Sequence, residues 1–303
     1  MNYIHFFMFE QVTQWAENSE SIKQARIGNR GYPFWKEAVK FILLIILLEF
    51  IVNFIISFPF ALTDAYSNIS IIIQLFSTLI FIVIYLLFIL KVEKRSLRSV
   101  GFSKDNILSS YGKGFLFGFL MLSAVVIMGI LLGLYKFESF SLNDLYLLIP
   151  FLLGYMIQSM KEEIYARGWI MISIARKNSI FLAILFSSLA FVVIHIFNNG
   201  VSVLALVNIF LMGVVLSLLF LRYDNIWICG AFHASWNFML SYFYGLNVSG
   251  MKNASLFSIT QTHYSLLGGN AFGPESGLIT TIIALVVIVL ILYYKNPVNT
   301  DKY

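Results

Sequence analysis

Residues 145–176 read LYLLIPFLLGYMIQSMKEEIYARGWIMISIAR, an apolar run broken in its second half by Lys161, Glu162, Glu163 and Arg167. At 1.5 Å per residue the run forms a helix of ~48 Å, longer than a ~30 Å hydrocarbon core. Pro150 marks its start or a kink near its outer end, and the basic hairpin Arg176-Lys177-Asn178 anchors the other end at the inner interface. Counted from that hairpin, Glu162 lies ~21 Å deep, in the middle of the membrane and not at its edge. A charged side chain there costs ~2.5–3.5 kcal/mol on insertion scales, so such residues line a protein interior or a watery cavity.

The rest of the chain sets the context. Of 303 residues, 59% are hydrophobic and 12% charged, against roughly 25% charged in soluble domains, and the mean hydropathy is +0.85. No soluble fold of this size covers so much apolar surface. The composition therefore predicts an all-α, polytopic membrane protein, a bundle of about eight transmembrane helices with spans near 39–61, 69–90, 115–135, 145–175, 179–198, 201–221, 226–245 and 277–294. Threaded alternately, these spans leave 16 lysines and arginines on one side and only Lys136 and Lys252 on the other, with Lys161 and Arg167 inside the fourth segment. The asymmetry predicts a cell-membrane protein with both termini cytoplasmic. It also accounts for the net charge of +5 without nucleic acid as a partner; the partner implied is the lipid bilayer.

The organisation expected is a cytoplasmic N-terminal segment at 1–38, three helices with a basic loop at 39–144, a core at 145–245, an extracytoplasmic loop at 246–276, and a last helix with a cytoplasmic tail at 277–303. The first 30 residues lack the basic start and apolar run of a signal peptide, and their aromatic content suits a helix on the membrane surface. Segment 91–114 reads as a solvated loop, and the Gly-, Ser- and Asn-rich loop 246–276 as either a cap over a cavity or a mobile connection. Cys229, the single cysteine, has no disulfide partner and is expected to be a packing residue.

Two further segments bring polar groups into the same zone. The fifth starts at Ser179, a good N-cap, and climbs back antiparallel, which puts His195 at ~24 Å. The seventh rises from Asn225 and carries His233 at ~12 Å and Asn237 at ~18 Å, on one face by their i, i+4 spacing. In the fourth segment Glu163 and Arg167 form an i, i+4 ion pair that neutralises both. Glu162, turned ~100° away, has no obvious partner in its own helix and is the carboxylate left for general-base chemistry. The plainer readings are a structural clamp for Glu163 with Arg167, a core or pocket-wall role for Phe191, and a helix–helix hydrogen bond for Asn237 in place of oxyanion stabilisation.

EEIYAR at 162–167, FVVIH at 191–195 and HASWN at 233–237 resemble, in order and spacing, the motifs E-E-x-x-x-R, F-x-x-x-H and H-x-x-x-N/D of the CPBP family, the CAAX-protease and bacteriocin-processing intramembrane proteases. GGNAFGPE at 268–275 is similar to a stretch that follows the third motif in bacterial members. The resemblance implies an endopeptidase with its site inside the membrane, acting on a peptide or membrane-tethered protein substrate. It implies a catalytic set of Glu162, His195, His233 and Asn237: Glu162 activates water, His195 helps position it, and His233 with Asn237 stabilises the oxyanion. Glu163, Arg167 and Phe191 are structural support. The cofactor is none or Zn²⁺: Glu162, His195 and His233 match the His₂Glu count of a catalytic zinc site, whereas the soluble HExxH signature is absent and a metal-free glutamate site fits the same residues. The competing function is a membrane scaffold or bacteriocin self-immunity protein that uses the cavity for binding. A proton-coupled transporter would show repeated, Gly/Pro-broken helices in two halves, a pattern missing from this sequence.

The charge asymmetry makes a direct prediction. In intact cells, a membrane-impermeant maleimide should label Lys136→Cys and Lys252→Cys and spare Lys177→Cys; labelling of Lys177→Cys from outside would overturn the threading.

Overall fold

The helix boundaries follow their capping residues. The computed structural model describes residues 2–28, 39, 46–47, 50–52, 54–55 and 68–294; apart from isolated positions, the span expected at 39–61 lies outside the described residues, as does the tail 295–303. Helices α1 (Asn2–Asn18) and α2 (Glu20–Gly28) precede α3 (Asn68–Val92) and α4 (Ile107–Leu131). The strand β1 (Tyr135–Phe140) follows. Helix α5 joins Leu148–Glu163 to a π-helical stretch Ile164–Met171 and to Ile172–Ala175. Then come α6 (Ile180–Val193), α7 (Val203–Tyr223) and α8 (Ile226–Phe238, continued by the π-helical Met239–Phe243). Strand β2 (Phe257–Gln261) and α9 (Leu278–Tyr293) complete the order. Ser179, Ser202 and Asn225 each accept a backbone N–H from their helix's first turn, satisfying donors that have no partner within the helix.

Of the expected spans, α3, α4 and α7 are long and apolar enough to cross a membrane; α6 and α9 are apolar but shorter. The fourth run is one continuous helical rod, as its length demanded. It carries four charged side chains, Lys161, Glu162, Glu163 and Arg167, and all four are buried.

Close backbone approach sets the position of α8. Gly114 and Gly118, four apart on α4, face it so tightly that a Cβ at Gly114 would lie 2.2 Å from the Ile228 carbonyl oxygen, and one at Gly118 2.3 Å from that of Phe232. Small residues at this spacing let two helices meet along their backbones. On the far side α8 packs against α5, and α6 packs against α7.

Two polar assemblies tie the connections. Asp224, in left-handed backbone at φ 46°, accepts from Ser19 Oγ at 2.6 Å and from the Glu20 N–H at 2.9 Å and pairs with Arg98, so it adds to the cap that Ser19 Oγ makes with the Ile22 N–H at the start of α2. The loop expected to be solvated at 91–114 is partly internal. Arg95 is fully buried, paired with Glu93 at 3.0 Å, and donates to Ser173 Oγ, Ser99 O and Gly168 O, because a buried guanidinium must find acceptors for its five N–H groups. Helix α4 also starts at Ile107, before the apolar run expected from 115.

Elsewhere the all-α expectation gains one small antiparallel sheet. β1 pairs with β2 in register Tyr135↔Gln261, with an irregularity between Phe137 and Ser139. Strands of this length, separated by more than a hundred residues, leave no periodic trace in the sequence. Through β2 and the Asn253 amide, which donates to Tyr155 Oη at 2.8 Å and to Ser241 Oγ, loop 246–276 is folded onto the bundle.

The α4–α8 contact predicts that Gly118→Val, by forcing two backbones apart, destabilises the protein by about 1–3 kcal/mol in a reversible detergent unfolding assay. Gly112→Val, where an added Cβ meets nothing within 4 Å, should cost far less; equal effects would refute the packing.

Candidate active site

Helix α5 delivers three of the expected residues, and its pitch separates them. Glu163 and Arg167 are an ion pair of 2.9 Å with both side chains 0% exposed. Arg167 also donates to Gly213 O on α7 at 3.0 Å, and its guanidinium lies 4.6 Å from the Phe191 ring centroid, a cation–π contact. Phe191 is thus wall and support together. The helix turns π-helical immediately after Glu163, a distortion that recurs at functional sites.

Glu163 has a second partner that helical spacing does not reveal. Its Oε1 accepts from His233 Nδ1 at 3.0 Å, so the supporting pair also orients a site histidine. His195 is held differently. α6 stops at Val193, short of the expected 198, and His195 sits in the turn beyond, with Nδ1 donating to Phe191 O at 2.8 Å. That bond satisfies a carbonyl at the helix end, which lacks an intrahelical donor. Carbonyl and carboxylate oxygens only accept, so both imidazoles carry a proton on Nδ1.

Both Nε2 atoms consequently face Glu162. Its Oε2 lies 3.9 Å from His195 Nε2 and 3.8 Å from His233 Nε2, and it is buried with no hydrogen-bond donor among the described residues. The other oxygen is occupied. Gln158 Nε2 donates to Glu162 Oε1, and Asn237 Nδ2 donates to Gln158 Oε1 at 3.1 Å. The expectation that Glu162 has no partner in its own helix is therefore corrected. Gln158 stands one turn earlier on the same face, an i, i+4 relation open to reading from the sequence. Lys161 Nζ is 4.0 Å from the same Oε1.

Gln158, Glu162, His195, His233 and Asn237 line a cavity of about 250 Å³ that also takes in Asn208 of α7 and Ser249, Met251 and Glu275 of loop 246–276. Of the two readings of that loop, the capping one matches the structure. Glu275 is a site-wall residue missed by the sequence reading: it accepts from Trp236 Nε1 at 3.0 Å and from the Ser249 N–H at 2.8 Å, while its backbone carbonyl accepts from Asn208 at 2.8 Å. The stretch 268–275 carried the signal. His263, in the same loop, is exposed.

The geometry bears on metal binding. A tetrahedral zinc with bonds of about 2.0–2.1 Å brings its ligand atoms within about 3.3–3.5 Å of one another, closer than the 3.8–3.9 Å found between Glu162 Oε2 and the two Nε2 atoms. Among the described residues no group of three His, Cys, Asp or Glu side chains is set to hold a metal ion. Glu162, His195 and His233 are the three side chains that would hold zinc in a catalytic His₂Glu site with an open fourth position, and they stand slightly wider apart than its ligands do.

Comparison with known proteins bears on the same residues. Residues 143–239 match the family model described as type II CAAX prenyl endopeptidase Rce1-like, about a third of the chain and the part that contains all three motifs. This match supports the CPBP/CAAX-protease family for the chain. No curated protein and no solved structure matches it.

The shared carboxylate predicts that Arg167→Met, which leaves Glu163 buried without its cation, costs about 3–5 kcal/mol of stability, and that adding Glu163→Met recovers most of the loss. An Arg167→Met variant that unfolds like the wild type would show that the pair is solvated.

Proposed function

We propose that the chain is a multi-pass intramembrane endopeptidase of the CAAX-protease type, with about eight spans, that hydrolyses a peptide bond of a membrane-associated peptide or protein by glutamate-activated water. One observation carries this reading: the carboxylate oxygen Glu162 Oε2 is buried without a donor among the described residues and faces two imidazole nitrogens at 3.8 and 3.9 Å. Those separations are too long for direct hydrogen bonds and suit one bridging water.

In the proposed reaction, a water held between Glu162 Oε2 and His195 Nε2 gives a proton to the carboxylate as its oxygen bonds to the substrate carbonyl carbon. His195 is suited to accept because its proton is on Nδ1, committed to Phe191 O. The carbonyl π electrons move onto oxygen, and the oxyanion takes hydrogen bonds from Asn237 and from His233. To donate, His233 carries a second proton on Nε2 while its Nδ1–H stays on the Glu163 carboxylate. Collapse of the tetrahedral intermediate breaks the C–N bond, and the proton on Glu162 passes to the leaving amine. The products are a carboxyl and an amine terminus.

Purified protein in liposomes, assayed with a quenched-fluorescent, lipid-anchored peptide, should lose about 10²–10⁴-fold in rate on Glu162→Gln and keep its rate after exhaustive chelation. Absence of cleavage by the wild-type protein, with biological function kept by Glu162→Gln, would remove the protease reading and leave the scaffold; full proteolysis by Glu162→Gln would remove Glu162 as the base. Loss on chelation with recovery on Zn²⁺ would replace the glutamate mechanism with a metal-based one.

A further inference from the structure

Gln158 has the pattern of a residue whose two ends do different things. Its amide stands between Glu162, one turn further along α5, and Asn237 on α8. An amide has one donating and one accepting end, and a carboxylate decides between them, since only the NH₂ end is attracted to Glu162 Oε1. With Nε2 so committed, Gln158 Oε1 must point at α8. It accepts there from Asn237 Nδ2 at 3.1 Å, and also from Oγ of its neighbour Ser159 on α5 at 3.3 Å. Asn237 is thereby turned so that its own NH₂ end faces the amide oxygen. One of its two N–H groups is used, and the second is left for the cavity that Asn237 lines.

We infer that Gln158 is a positioning residue that couples the general base to the oxyanion donor: the amide occupies Glu162 Oε1, leaving Oε2 as the reactive oxygen, and the same amide sets the orientation of Asn237. The inference rests on the proposed hydrolytic reading, in which both neighbours act on the substrate. The three-motif pattern does not include this position. Lys161 Nζ, at 4.0 Å from the same Oε1, is beyond hydrogen-bond reach and does not replace the amide.

The test uses the full chain in liposomes with the quenched-fluorescent, lipid-anchored peptide. Gln158→Met should lower kcat by about 10–100-fold, the range for removing a group that orients site residues, with KM within about 2-fold of wild type. The coupling is read from a double-mutant cycle. In the Asn237→Ala background the same substitution should cost at least about 3-fold less than in the wild type, because the orientation of Asn237 is already lost and only the hold on Glu162 Oε1 remains. Equal costs in both backgrounds would overturn the coupling, as would Gln158→Met activity within about 2-fold of wild type. Should Gln158→Met unfold, the near-isosteric Gln158→Glu fills the same space while placing an acceptor against Glu162; it should lose at least as much kcat, and near-wild-type turnover by it would equally overturn the proposal. Absence of any cleavage by the wild-type chain refutes the hydrolytic reading itself and is a separate result.

Discussion

The carboxylate of Glu163 holds the centre of this protein together. It is fully buried and pairs at 2.9 Å with an equally buried Arg167, and the oxygen that accepts from Arg167 also accepts from His233. Neither charge is tolerable alone at that depth. Arg167 reaches on to the Gly213 carbonyl of α7 and to the face of Phe191 on α6. Four helices are therefore tied to one ion pair. The histidine at the cavity wall is oriented by a group whose first duty is to neutralise its neighbour.

Around that pair, packing and polar ties divide the work. Gly114 and Gly118 let α4 lie against the backbone of α8, which sets the height at which His233 and Asn237 meet α5. Asp224 and the buried Glu93–Arg95 pair secure the connections next to α2 and the π-helical stretch of α5. Loop 246–276 closes over the cavity through Glu275, whose carboxylate and backbone carbonyl bond to Trp236, Ser249 and Asn208. The cavity wall is thus assembled from segments that are all anchored elsewhere, which is how a site holds its geometry on more than one helix.

Much of this was legible beforehand. Charges at Glu162, Glu163 and Arg167 in an apolar run stand out because burial is costly, and the i, i+4 spacing paired two of them correctly. Depth counting brought His195 level with Glu162, and the two lie 3.9 Å apart. Gln158 was overlooked because an uncharged amide in an apolar helix carries little penalty and so little signal. Arg95 reads as solvated because its neighbours in sequence are basic, whereas the acceptors it finds on α5, Ser173 and Gly168, are more than seventy residues away.

By itself the sequence determined that the chain is helical and membrane-embedded, which residues are expensive to bury, and which pairs share a helix face, since these follow from hydropathy and from a fixed helical pitch. Only the tertiary structure decided that Glu163 serves His233 as well as Arg167, that α6 ends before His195, that residues of the folded loop 246–276 line one side of the cavity, and that Gln158 joins Glu162 to Asn237. These are contacts between segments distant in the chain. Their geometry depends on how closely helices approach and on which donor is left over once every buried polar group has chosen a partner.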